Sequence, residues 1–107
     1  MNLLLDSHVV VWWVEANSRV KSEWLEPILD SSNTVFVSAA TAWEIEIKKR
    51  SGTLSFGPTI VEVATGYAFE LLPISVSDAV SAGSLERGMV FVTNDALLKQ
   101  APGIRTL

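Results

Sequence analysis

Short, fully apolar runs recur along the chain: Leu3-Leu4-Leu5, Val35-Phe36-Val37 and Val90-Phe91-Val92. A strand with one face in water alternates apolar and polar residues. An unbroken run of this kind instead reads as a strand buried on both faces, the habit of parallel sheets covered by helices. Parallel neighbours also need crossover connections of about a dozen residues or more, which are usually helical. The runs therefore restrict the chain to α/β architectures.

The stretches between the runs carry helix signals. Val9 to Glu15 reads as the start of a helix after a first strand over Asn2 to Leu5, and Lys21 to Leu29 as a second helix interrupted near Pro27. Ser31-Ser32-Asn33 is a turn, and Thr34 to Val37 a second strand. Ser38 is placed to cap a helix from about Ala39 to Arg50, with Gly52 as its stop. Ala40, Trp43 and Ile47 form an apolar stripe at helical spacing, and Glu44–Lys48 and Glu46–Arg50 stand four residues apart. Beyond the Phe56-Gly57-Pro58 loop, Thr59 to Phe69 reads as a helix and Leu71 to Ile74 as a third strand. Ser77 to Arg87 then reads as a short helix, Met89 to Thr93 as a fourth strand and Asp95 to Gln100 as a closing helical turn. Ile104-Arg105-Thr106 is suited to an edge strand. With no repeat or linker, the alternation predicts one domain over residues 1–107, a three-layer α/β sandwich with a short parallel sheet flanked by helices.

Three acids stand just past strand-like runs: Asp6, Glu44 in the helix after the second run, and Asp95. Open α/β sheets place their ligands beyond the carboxyl ends of the strands. Carboxylates gathered there suit a divalent cation. The chain has no cysteine, so oxygen ligands must carry any metal, and neither a disulfide framework nor a thiolate site is expected. A net charge of −4 argues against a broad basic nucleic-acid surface, yet it is compatible with a carboxylate site that recruits its positive charge as an ion. Hydrophobic residues make up 49% of the 107, which argues against disorder. The longest apolar stretch, Val9 to Val14, is far short of the roughly 20 residues of a membrane span. Asp6 and His8 interrupt the one candidate leader segment. A cytoplasmic protein without membrane attachment is the expectation.

Taken together, Leu3-Leu4-Leu5-Asp6-Ser7-His8 with Trp12-Trp13, then Val37-Ser38-Ala39-Ala40-Thr41-Ala42-Trp43-Glu44-Ile45 with Lys48-Lys49-Arg50, then Leu72-Pro73-Ile74, and Val92-Thr93-Asn94-Asp95, resemble a PIN domain. More narrowly they resemble the VapC-type toxins of bacterial toxin–antitoxin pairs. The resemblance implies a ribonuclease dependent on Mg²⁺ or Mn²⁺, held inactive by a cognate antitoxin protein and commonly a homodimer. It also implies that Asp6, Glu44 and Asp95 are catalytic metal-site acids, with Ser7 and Thr93 as supporting hydroxyls. One departure stands out. The family usually carries a His-Arg-Asp-Pro-Phe-Asp-Arg segment whose second aspartate is a principal ligand, whereas here Ser84-Leu85 runs straight into Glu86-Arg87-Gly88-Met89. Neither Glu86 nor Asp78 is a convincing substitute. Loss of one acid should weaken metal binding, so reduced activity is expected, with a catalytically inactive PIN-like protein that binds antitoxin or RNA as the alternative.

Each of these residues also has a plainer role. Asp6 and Asp95 suit helix caps, and Glu44 suits the Glu44–Lys48 surface pair. His8, the only histidine, is assigned a structural role. Trp12, Trp13 and Trp43 suit core or interface packing, and the paired Trp12-Trp13 also suits stacking on a base. Lys48-Lys49-Arg50 suits a solvated helix end or contact with RNA phosphates. Crowded empty carboxylates are expected to raise one another's pKa. A small phosphate- or nucleotide-binding domain would call for a glycine-rich phosphate loop, and none is present.

Overall fold

Leu3, Leu4 and Leu5 are all buried. Successive side chains of a strand point to opposite faces, so this strand is covered on both sides and belongs to the middle of a layered structure. In the computed structural model, which describes residues 1–73 and 90–92, it is β1 (Asn2–Leu5). It is followed by α1 (Ser7–Val14), α2 (Ser22–Leu29), β2 (Thr34–Ser38), α3 (Ala39–Arg50), α4 (Ile60–Tyr67), β3 (Glu70–Leu72) and β4 (Val90–Val92).

The four strands form one sheet in the order β3-β2-β1-β4, and every pair is parallel. The register aligns Leu4 with Phe36 of β2 and with Phe91 of β4. The chain steps outward from β1 to β2 to β3, then returns to the other side of β1 for β4. That reversal is a topological switch point between β1 and β4, where open α/β sheets hold their ligands. The ladder runs one residue past β1, since the Asp6 amide donates to the Val92 carbonyl at 3.1 Å. Asp6 therefore stands on the carboxyl edge at the switch point.

One hydrophobic cluster ties the layers together. Leu3, Leu5, Val35, Val37 and Val92 of the sheet meet Val9 and Val10 of α1, Trp24 and Ile28 of α2, Ile45 of α3, and Ile60 and Val63 of α4. Each fully buried aliphatic side chain contributes roughly 1.5–3 kcal/mol. The layered α/β arrangement with a short parallel sheet is thus the one expected from the apolar runs.

Local chemistry sets where the helices start. Asp6 is extended, and its carboxylate accepts from the His8 amide at 3.4 Å, so α1 begins at Ser7, two residues before the expected start. Ser38 caps α3 by accepting from the Thr41 amide at 3.1 Å. Thr59 and Glu62 form a reciprocal capping box on α4, which ends at Ala68 in the left-handed region, φ 57°.

Two expectations fail. α2 runs through Pro27 without interruption. The ring removes one hydrogen bond, to the carbonyl of Glu23, and Glu23 is exposed, where solvent can supply a donor in its place. The second failure concerns α3: its expected apolar stripe faces outward, with Trp43 70% and Ile47 45% exposed and Ala40 exposed as well. The buried residues are Thr41 and Ile45. Thr41 can be buried because the Ser38 hydroxyl donates to its Oγ1 at 3.3 Å.

The expected helices over Ser77 to Arg87 and Asp95 to Gln100, and the expected edge strand at Ile104 to Thr106, lie outside the described residues. Among the described residues, no helix is long and apolar enough to cross a membrane.

Candidate functional site

Because β1 and β2 are parallel and in register, Asp6 and Ser38 leave the sheet side by side, and α3 rises from that same edge. Glu44 sits in the second turn of α3. The residue that joins it to Asp6 is Ser7, whose side chain is buried at the start of α1. The Ser7 Oγ lies 3.2 Å from the Asp6 Oδ1 and 3.0 Å from the Glu44 Oε1. A hydroxyl has one proton, so it donates to one carboxylate at a time, and its position caps the separation of those two oxygens at about 6 Å. Two of the three expected acids are therefore neighbours, though they are 38 residues apart along the chain. Asp95 and Thr93 lie outside the described residues.

The two acids differ in their surroundings. The Asp6 side chain is 23% exposed, and its Oδ1 is 4.0 Å from the His8 Nδ1. The Glu44 side chain is 47% exposed, and its Oε1 accepts from the Lys48 Nζ at 2.9 Å. The Lys48 hydrogen bond, assisted by the one from Ser7, holds the Glu44 carboxyl below its ordinary pKa of 4.5 and outweighs the opposing effect of partial burial. The expected mutual elevation of pKa is thus reversed at Glu44. A cation already sits where repulsion would otherwise act, and the expected surface pair and the approach to Asp6 coexist in one side chain.

Among the described residues, no group of three or more acids or histidines is arranged to hold a metal ion. The pair still fits a hard divalent cation. Mg²⁺ characteristically keeps several waters and takes one or two carboxylates, and Asp6 and Glu44 offer two carboxylates beside a hydroxyl at the ligand-binding edge of the sheet. Lys48 would have to share Glu44 with such an ion.

A groove of about 280 Å³ runs from this edge between α1 and α3. Ser7 and His8 stand at one end, Trp12 lies along α1, Ile45 and Lys48 line the α3 side, and Arg19 arrives from the segment after α1. The Arg19 guanidinium carbon is 5.8 Å from the centre of the Trp12 ring, and His8 is 5.7 Å from it, tilted by 40°. Nothing in the sequence marks Arg19 as part of this groove, since a single arginine in a loop carries no periodic signal. Trp12 suits both packing and stacking, and the half-buried residue packs against the core and also borders the groove.

The pattern of the PIN domain family matches residues 3–101 of the chain. No curated protein matches it.

Proposed function

The chain belongs to the PIN domain family, a nuclease fold that generally depends on divalent metal, and from that premise we propose that it is a VapC-type ribonuclease toxin. It cleaves RNA phosphodiesters with Mg²⁺ or Mn²⁺ in the cytoplasm, acts as a homodimer and is restrained by a cognate antitoxin. The observation that carries this reading is the convergence of Asp6 and Glu44 on Ser7 at the switch-point edge of the sheet. The narrower assignment is supported by the order of motifs from Leu3-Leu4-Leu5-Asp6-Ser7-His8 through Trp43-Glu44-Ile45 to Thr93-Asn94-Asp95.

In this reading Asp6, Glu44 and Asp95 hold the ion. Asp95 follows the end of β4 by three residues, and Asp6 follows the end of β1 by one. A bound divalent ion would polarise the phosphoryl group and acidify the attacking water. Ser7 keeps the Asp6 and Glu44 oxygens together, and Thr93 supplies a second hydroxyl. Lys48 and Ser7 favour the ionised form of Glu44, its form as an oxygen donor.

The Asp-Pro-Phe-Asp-Arg segment usual in VapC toxins is missing, so the site has three acids and its activity is reduced. An inactive PIN-like protein that binds antitoxin or RNA is the second reading. It is favoured by the 2.9 Å Lys48–Glu44 bond, which already neutralises one of the acids.

Incubation of labelled RNA with the protein and Mn²⁺ tests the proposal. Slow cleavage that stops in EDTA and in Asp6→Asn is expected. Cleavage that persists in Asp6→Asn contradicts the site, and RNA binding with no cleavage selects the inactive protein.

A further inference from the structure

The groove between α1 and α3 is not used by the metal-site chemistry, yet it begins at Ser7, the residue that touches both acids. At about 280 Å³ it falls just below the roughly 300–1,000 Å³ of small-ligand sites, a size suited to one nucleotide unit. Its two walls differ in character. Trp12 offers an aromatic surface, whereas Arg19 and Lys48 bring positive charge to a protein whose total is −4. Lys48 is committed to Glu44. Arg19 is exposed and has no carboxylate partner among the described residues; its guanidinium rests over Trp12.

Resting on the ribonuclease reading, we propose that this groove receives the nucleotide adjoining the scissile phosphate of a single-stranded RNA, with its base on Trp12 and its phosphate on Arg19. A cation–π contact at an exposed site is weak compared with base stacking on an indole. Arginine also binds phosphate oxygens through paired, charge-assisted hydrogen bonds. The resting Arg19–Trp12 contact is therefore one that a nucleotide can replace, the base taking the ring while the guanidinium turns to the phosphate. Glu15 also borders the groove, and its charge repels phosphate, which favours the Arg19 position. Because Ser7 both lines the groove and contacts the two acids, a nucleotide seated there would carry its neighbouring phosphodiester towards Asp6 and Glu44.

Fluorescence anisotropy of a labelled single-stranded RNA, measured in EDTA so that no cleavage occurs, tests the groove apart from catalysis. Arg19→Gln, at an exposed side chain, should weaken binding several-fold and make the salt dependence shallower by about 0.7 in log–log slope. Trp12→Leu should weaken binding about fivefold or more, and Trp12→Phe should restore most of it. Asp6→Asn should bind at least as well as the unaltered protein, since it removes a negative charge. The proposal is overturned if the unaltered protein does not bind RNA, if Arg19→Gln binds like it with an unchanged salt slope, or if DNA of the same sequence binds more tightly. Cleavage that depends on Asp6 together with unaffected binding by the Arg19 and Trp12 variants would remove the groove and leave the ribonuclease standing. Binding lost on Arg19→Gln without any cleavage would do the reverse.

Discussion

Glu44 shows how one side chain serves both a fold and a site. Lys48 and Ser7 both donate to its Oε1, so its ionised form is favoured and its pKa is lowered from 4.5. A carboxyl with a lowered folded-state pKa contributes stability that is present above the unfolded value and is lost as the pH falls through the folded one. The stabilisation therefore holds from neutral pH down to about 4.5 and declines below that. The pair is half exposed and is worth only about 0.3–0.5 kcal/mol. Lys48→Met should bring the Glu44 carboxyl back up towards its ordinary value in a ¹³C NMR titration; an unchanged titration would mean that the Lys48–Glu44 bond does not form in solution. At this scale the sequence was informative about identity and silent about sharing. It offered Asp6 as cap or ligand and Glu44 as pair or ligand. The structure gives Asp6 the cap and Glu44 the pair, and brings both acids to Ser7 without forcing a choice, because a carboxylate has four lone-pair sites to distribute.

Among the elements, α3 is the one whose pattern misled. Its limits were legible because Ser38 caps it, its last turn is basic, and Gly52 follows with φ 78°. Its buried face was not legible. Trp43 and Ile47 are the bulkiest apolar residues at helical spacing, but a threonine whose hydroxyl is satisfied by the cap can enter the core in their place, with Ile45 one turn on. That inversion sets Glu44, next to Ile45, at the border of the core and within reach of Ser7. Ile45→Ala should cost about 2–5 kcal/mol in denaturant unfolding, as expected for a core truncation. Trp43→Gln should stay within about 0.5 kcal/mol of the unaltered protein, as for an exposed position. The opposite ranking would restore the stripe formed by Ala40, Trp43 and Ile47 as the core face. In α2, Pro27 misled for a different reason. A proline is costly where its missing donor leaves a buried carbonyl, and here the carbonyl belongs to an exposed residue.

At the scale of the whole molecule, the apolar runs were sufficient for the fold. Unbroken hydrophobicity implies burial on both faces, which implies parallel pairing and helical crossovers, and the sheet has that form. Strand order was beyond the sequence, because nothing local to β4 states which side of β1 it joins. Yet that order creates the switch point and gives Asp6 its place beside the carboxyl end of β4. The proposed site has Asp6, Glu44 and Asp95 sharing one divalent ion. Thermal unfolding with and without Mn²⁺ tests it most directly, since an ion that binds only the folded state raises the melting temperature. The account predicts a rise of several degrees for the unaltered protein that disappears in Asp6→Asn and in Asp95→Asn. A rise that both variants retain, or no rise in the unaltered protein, would contradict it.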